Sequence, residues 1–198
     1  MIEVASKGFD FKPAIILVLV GGNDVSCSFG LSALNAGRKG RQQTNLKVFE
    51  EEFDELLALL SKFEAPIGLY NLKPMGEDIS SHFNDRIRDY NSALATLAAK
   101  FPLATVIDVY TPFVAEITAR APTLKYKAPP ATKVEDIVNP ARIVKVVSLR
   151  YLSLGFLSWD TLGEMEGFSM SSDGIHCNER AGAIFLQHAR QFVDANLR

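Results

Sequence analysis

The chain has 198 residues, 47% of them hydrophobic and 22% charged. That length and composition suit a folded domain with a sizeable core and exclude a disordered or fibrous chain. The formal net charge of −2 gives no global electrostatic pull toward nucleic acid or an anionic membrane, and two cysteines, Cys27 and Cys177, are too few for a disulfide framework.

The opening MIEVASKGFDFK has no basic region followed by a long apolar stretch, so it does not read as a signal peptide. The longest aliphatic run, AIILVLV (14–20), is far short of the ~20 residues that span a bilayer. The expectation is a cytoplasmic chain with no membrane span, in a reducing compartment.

AIILVLV follows Pro13 and stops at GGND (21–24). An unbroken apolar run predicts a strand buried on both faces. A polar, glycine-containing loop is predicted over 26–43, ending in the basic stretch GRKGR (37–41), which reads as a solvated loop. Residues 45–63 predict a helix, with Phe49, Phe53, Leu56, Leu57 and Leu60 on one stripe. PIGLYNL (66–72) predicts a second buried strand, ended by Pro74.

A second amphipathic helix is predicted over 80–100, with Phe83, Ile87, Tyr90, Leu94 and Leu97 inward. LATVIDVY (103–110) predicts a third strand. Thr111 and Pro112 then form a cap-and-proline start for a short helix. Residues 121–138 read as a proline- and lysine-rich loop, and Asn139–Pro140 opens a further helix over 139–155. Trp159 reads as core. A final helix starts near Asn178 and carries Phe185, Ala189, Phe192 and Val193 inward.

Strands alternating with helices predict a doubly wound α/β fold with a parallel sheet covered on both faces. In such sheets ligands bind beyond the carboxyl ends of the strands. GGND ends the first strand and DGIH (173–176) precedes the last helix, so both are expected at that edge.

Aspartate and histidine three apart cooperate when the loop between them folds back, the carboxylate accepting from one ring nitrogen and leaving the other as a general base. The same pattern also fits a helix cap beside a surface histidine. Glycine followed by asparagine after a strand brings backbone close to a ligand and offers a side-chain amide to an oxyanion, and equally fits a plain turn. Two cysteines and three scattered histidines show no metal-ligand spacing.

The pairing of a strand ending in GGND with SSDGIHCNERAG (171–182) opening the last helix resembles the SGNH hydrolases, the GDSL esterase and lipase family. The resemblance spans roughly residues 13–195. It implies a three-layer α/β/α sandwich, flavodoxin-like, over a single domain 1–198, with Asn23 and Gly21 at the oxyanion site, Asp173 as orienting acid and His176 as base. It implies no cofactor, and a small-molecule acyl ester as substrate.

The family's nucleophile lies in a Gly-Asp-Ser motif upstream of the asparagine segment, and that motif does not occur here. The resemblance therefore places AIILVLV as the third strand of the family order. The expected domain is N-terminally incomplete, lacking its first two strands. The first visible strand then becomes an uncovered edge open to self-association. Alternative nucleophiles are Ser26, Cys27 and Ser28, each of which also reads as an ordinary turn or buried residue. Two readings stand: an ester hydrolase working through a Ser-His-Asp triad, and a non-catalytic SGNH-like module that binds a ligand or partner.

Overall fold

The computed structural model describes residues 12–30, 45–128 and 130–197. GRKGR and the rest of 31–44 lie outside them. Three strands, β1 (Ile16–Val18), β2 (Ile67–Tyr70) and β3 (Ala104–Ile107), form a parallel sheet in the order β1-β2-β3. Ile16 pairs with Ile67, and Ile67 with Ala104. Around the strands in sequence run α1 (Gly22–Ser28), α2 (Leu46–Leu60), α3 (His82–Ala98), α4 (Tyr110–Arg120), α5 (Val134–Ile137), α6 (Pro140–Leu152), α7 (Trp159–Met165) and α8 (Glu179–Asn196). The architecture is α/β with a small parallel sheet. Among the described residues no helix is long and apolar enough to cross a membrane.

The chain divides into two compact units. The first takes the described residues up to Leu72, Arg88–Asp108, and His188 onward; the second takes Lys73–Ile87 and Val109–Gln187.

In the first unit all four residues of the central strand β2 are buried. Gly68 belongs there because a Cβ would fall 2.7 Å from Ile107 and 2.8 Å from Leu17. β1 departs from the expectation of burial on both faces. Leu17 is 43% and Leu19 56% exposed while Val18 is buried, because among the described residues β1 pairs only with β2 and stands at the sheet edge. Apolar composition reports how hydrophobic a strand is, not how many neighbours it has.

Helix α2 starts at an Asn45 cap, whose side chain accepts from Val48 N at 3.0 Å. It buries Phe49, Phe53, Leu56 and Leu57, each contributing about 1.5–3 kcal/mol. Leu60 is only half-buried. The Phe49 ring meets Phe53 at 5.2 Å and Tyr90 of α3 at 4.9 Å. Beyond β2, the Asn91 amide pins the chain, accepting from Leu72 N at 2.6 Å and donating to Leu72 O at 2.9 Å.

The second unit is helical and centres on Phe83, Ile87, Phe113, Ile117, Val146 and Leu162, all buried. Asn139 caps α6 with Pro140 behind it, as expected. Three local expectations change. Helix α4 begins at Tyr110, ahead of Thr111 and Pro112, so Thr111 is no cap. Part of the predicted loop 121–138 is the short helix α5. Trp159 is half-buried at the start of α7, not core; its ring lies 5.5 Å from the Arg150 guanidinium.

Candidate functional site

The segment 169–178 of the second unit is a tight reversed loop. Ser171 and Cys177 bridge in antiparallel fashion, Ser172 N donates to His176 O at 2.9 Å, and Gly174 N donates to Ser171 Oγ at 2.7 Å. Gly174 sits at φ +104°, and a Cβ there would meet the Ile137 carbonyl oxygen at 3.1 Å and Arg142 Nη1 at 3.0 Å. A side chain there is therefore strained by the backbone conformation and crowded by its neighbours.

Within the loop the Asp173 carboxylate does three things. Its Oδ1 accepts from Ile175 N at 3.0 Å and His176 N at 2.9 Å. Its Oδ2 lies 2.7 Å from His176 Nδ1, inside the range expected of an aspartate orienting a histidine. The Asp173 side chain is 2% exposed and that of His176 64%. The acid is enclosed and the ring projects outward.

Burial pushes the Asp173 carboxyl up, but the bonds from the His176 ring and from the His176 and Ile175 amides outweigh it, and the net shift is below the ordinary carboxylate value. An ionised Asp173 has no proton to give, so Nδ1 carries the hydrogen. In the neutral ring Nε2 is then left with a lone pair. The bond to Asp173 raises the His176 pKa, against partial burial and the nearby Lys73 charge, which lower it. The arrangement can accept a proton at Nε2 and hold the resulting imidazolium.

Two neighbours invisible to motif reading shape this loop. The Glu77 carboxylate accepts from Ser169 N at 2.7 Å, Ser169 Oγ at 2.6 Å, Met170 N at 2.7 Å and Ser171 N at 3.1 Å. It clamps the segment leading into the site. Arg142 Nη1 donates to Asp173 O and Asp136 O, both at 3.2 Å. Lys73 is half-buried. Burial lowers its pKa, opposed by the charges of Cys177, Asp173 and Glu77. Cys177 is half-buried and its thiol is pushed up by burial, with Lys73 pulling the other way.

The GGND residues belong to the first unit. Gly21 is buried at φ +109°, where a Cβ would touch Leu72 at 3.1 Å and Phe49 at 3.2 Å. Asn23 is exposed in the first turn of α1. Ser26, Cys27 and Ser28, expected in a loop, continue that helix. Ser26 and Cys27 are 0% exposed. The Ser26 hydroxyl donates to Gly22 O at 3.0 Å and that of Ser28 to Val25 O at 2.7 Å. His82 is exposed and His188 half-buried. Among the described residues no group of three or more His, Cys, Asp or Glu is placed to hold a metal ion.

Comparison of the chain with protein families yields no matching family model, and comparison with curated proteins yields no match. Among solved structures, an acetyl xylan esterase, AlAXEase, is similar at 22% identity and TM-score 0.48, over 70% of this chain and 67% of that one. At that distance the likeness carries no argument about function, and the chemistry of the site rests on its side chains.

Proposed function

We propose that this chain carries the acid–base arm of an SGNH-type ester hydrolase acting on a small-molecule acyl ester. The observation that carries the reading is the buried Asp173 carboxylate held 2.7 Å from Nδ1 of an outward-facing His176. In this reading His176 Nε2 takes the proton of a hydroxyl nucleophile as the oxygen attacks the acyl carbon. The oxyanion of the tetrahedral intermediate needs hydrogen-bond donors, the role that the resemblance gives to Asn23 and Gly21. The His176 imidazolium then protonates the leaving alcohol, and water, deprotonated by the same ring, hydrolyses the acyl-enzyme. In the same reading β1, β2 and β3 are consecutive strands of the doubly wound sheet of that fold.

A second reading, a non-catalytic binding module of the same fold, draws on the state of the nominated nucleophiles. Ser26 and Cys27 are fully buried, and the Ser26 and Ser28 hydroxyls are engaged by their own helix. Fluorophosphonate labelling separates the two. Stoichiometric labelling that disappears in His176→Ala supports the hydrolase, and the labelled peptide identifies the nucleophile. An unlabelled chain that also fails to hydrolyse p-nitrophenyl acetate above the His176→Ala background refutes the hydrolase reading for this chain.

A further inference from the structure

The second unit contains a cavity of about 450 Å³ whose lining includes Arg142 and Phe168, both also neighbours of Gly174. That volume is within the range of small-molecule sites. Its apolar wall is built by Met75, Ile117, Leu124, Ile137 and Phe168. All except Leu124 are at most 5% exposed, so the wall is preformed.

Among the described residues two cations line the cavity, the exposed Lys127 and Arg142, and its carboxylates are already engaged. Glu77 already accepts four internal hydrogen bonds. Asp136 Oδ2 accepts from Thr132 N at 2.9 Å, Thr132 Oγ1 at 3.0 Å and Lys133 N at 3.1 Å. Asp78 Oδ1 accepts from Ser80 N at 3.1 Å and Ser80 Oγ at 2.7 Å. Each bordering carboxylate is committed to local structure.

Arg142 is different. Its Nη1 makes two long bonds of 3.2 Å to backbone oxygens. Its Nε stands 4.0 Å from Glu166. Its Nη2 has no hydrogen-bond partner among the described residues, although the guanidinium side chain is only 14% exposed. The flat group is held in place over the Phe168 ring at 5.1 Å. A guanidinium that lines the cavity with Nη2 unpartnered, beside an apolar wall, calls for an acceptor on the ligand.

We propose that this cavity binds an acyl compound, a molecule apolar over most of its length that presents a carbonyl or carboxylate oxygen to Arg142. Because Arg142 also donates to the Asp173 carbonyl, the occupant sits one side chain away from the Asp173–His176 loop. The inference stands whether or not His176 acts as a base.

The test is calorimetric titration of the full chain with three probes of equal chain length: octanoate, octanamide and octylammonium. Octanoate and octanamide should bind saturably. Octylammonium, which offers no acceptor, should bind at least about tenfold more weakly. Arg142→Met should remove that preference by weakening the two acyl probes about tenfold or more. Since Arg142 also braces the 173 loop, a second variant is needed. Ala121→Trp, at an exposed position on the cavity rim, should exclude octanoate by filling the mouth while leaving the fold intact. Absence of saturable octanoate binding, equal affinity for octylammonium, or octanoate binding unchanged in Ala121→Trp would each overturn the proposal.

Discussion

Asp173→Asn isolates the central electrostatic claim without requiring a nucleophile. The substitution keeps the shape. Its Oδ1 can still accept from the amides of Ile175 and His176, now at 3.0 and 2.9 Å. Its amide nitrogen, however, replaces the oxygen that lies 2.7 Å from His176 Nδ1. Two donors then face each other, so the ring must shift its hydrogen to Nε2 or turn away. The first outcome removes the Nε2 lone pair that a general base needs and the second misplaces it; in a hydrolase of the triad type the equivalent loss is about 10⁴ in turnover. The His176 pKa, held up first of all by its bond to Asp173, should fall below that of the unaltered chain. A hydrogen bond to a charged group contributes about 1.5–3 kcal/mol. The ring is 64% exposed, so solvent screening reduces this to roughly 1 kcal/mol, or about 2–4 °C in Tm for a chain of this size. The pH dependence follows from the two shifts. The raised His176 value gives stability that is fully present below the unfolded pKa of about 6.5 and is lost as pH rises through the folded value. The lowered Asp173 value gives stability present above about 3.9 and lost as pH falls through its folded value. The difference in stability between the chain and Asp173→Asn should therefore be largest between about pH 4 and 6.5 and shrink on either side. The assay is an NMR titration of the three histidine rings, with His176 assigned by its disappearance in His176→Gln, alongside thermal melts at pH 5 and pH 8. An Asp173→Asn chain in which His176 titrates at its original midpoint and keeps its Nδ1–H tautomer would refute the reasoning.

Glu77→Gln puts a donor against an array of donors at Ser169, Met170 and Ser171; it should lower stability by about 2–3 kcal/mol and loosen amide exchange at those three residues, and unaltered exchange would contradict the clamp. Gly174→Ala forces a methyl group toward a carbonyl oxygen at φ +104° and should cost about 1–3 kcal/mol, read as a drop in the urea midpoint; a neutral effect would mean the turn is free to relax. Cys177, its thiol pushed up by burial and eased by Lys73, should react with iodoacetamide at pH 8 more slowly than free cysteine, and more slowly again in Lys73→Met. A faster reaction in that variant would show that Lys73 does not act on the thiol. If the chain hydrolyses esters, its rate should rise with pH through a midpoint above 6.5, because His176 must be neutral to accept a proton and its pKa is raised; a midpoint below 6.5 would exclude His176 as the base.

The parts of the fold legible in the sequence are those decided by neighbours close in the chain. The stripe Phe49, Phe53, Leu56, Leu57 recurs every 3.6 residues and is buried as a unit. Asn139 before Pro140 is a cap by local chemistry alone. The Asp173–His176 bond belongs to the same class, since three residues and one glycine suffice to close it. Helix α1 fails on the same ground. Gly22, Asn23, Asp24 and Ser26 are all poor helix formers, and propensity reads them as a turn. The helix forms because Val25 and Cys27 find complete burial and the two serines return their hydroxyls to carbonyls three and four residues back. Residues 14–20 hold a strand at a sheet edge, but its expected burial on both faces fails, since an aliphatic run is silent about what covers it.

The surroundings of the Asp173–His176 pair are illegible for a different reason. Glu77 and Ser169 are 92 positions apart, and an acid in a polar stretch such as GED looks like any surface acid. Its role exists only once four donors converge on it. Arg142 is similar, an ordinary first-turn residue of α6 until the fold lays its guanidinium against Asp173 O and Phe168. These two residues explain why the local Asp-x-x-His pattern becomes a rigid pair here instead of a mobile surface turn. Glu77 holds the chain entering the loop and Arg142 holds the Asp173 carbonyl, while the His176 ring bonds to Asp173. The orientation of the His176 ring is thus set by Asp173, and the position of Asp173 by two charged groups of opposite sign. Loss of either clamp should loosen the pair and weaken the pull that raises the His176 pKa, which makes the His176 midpoint a readout for residues that hold its partner in place.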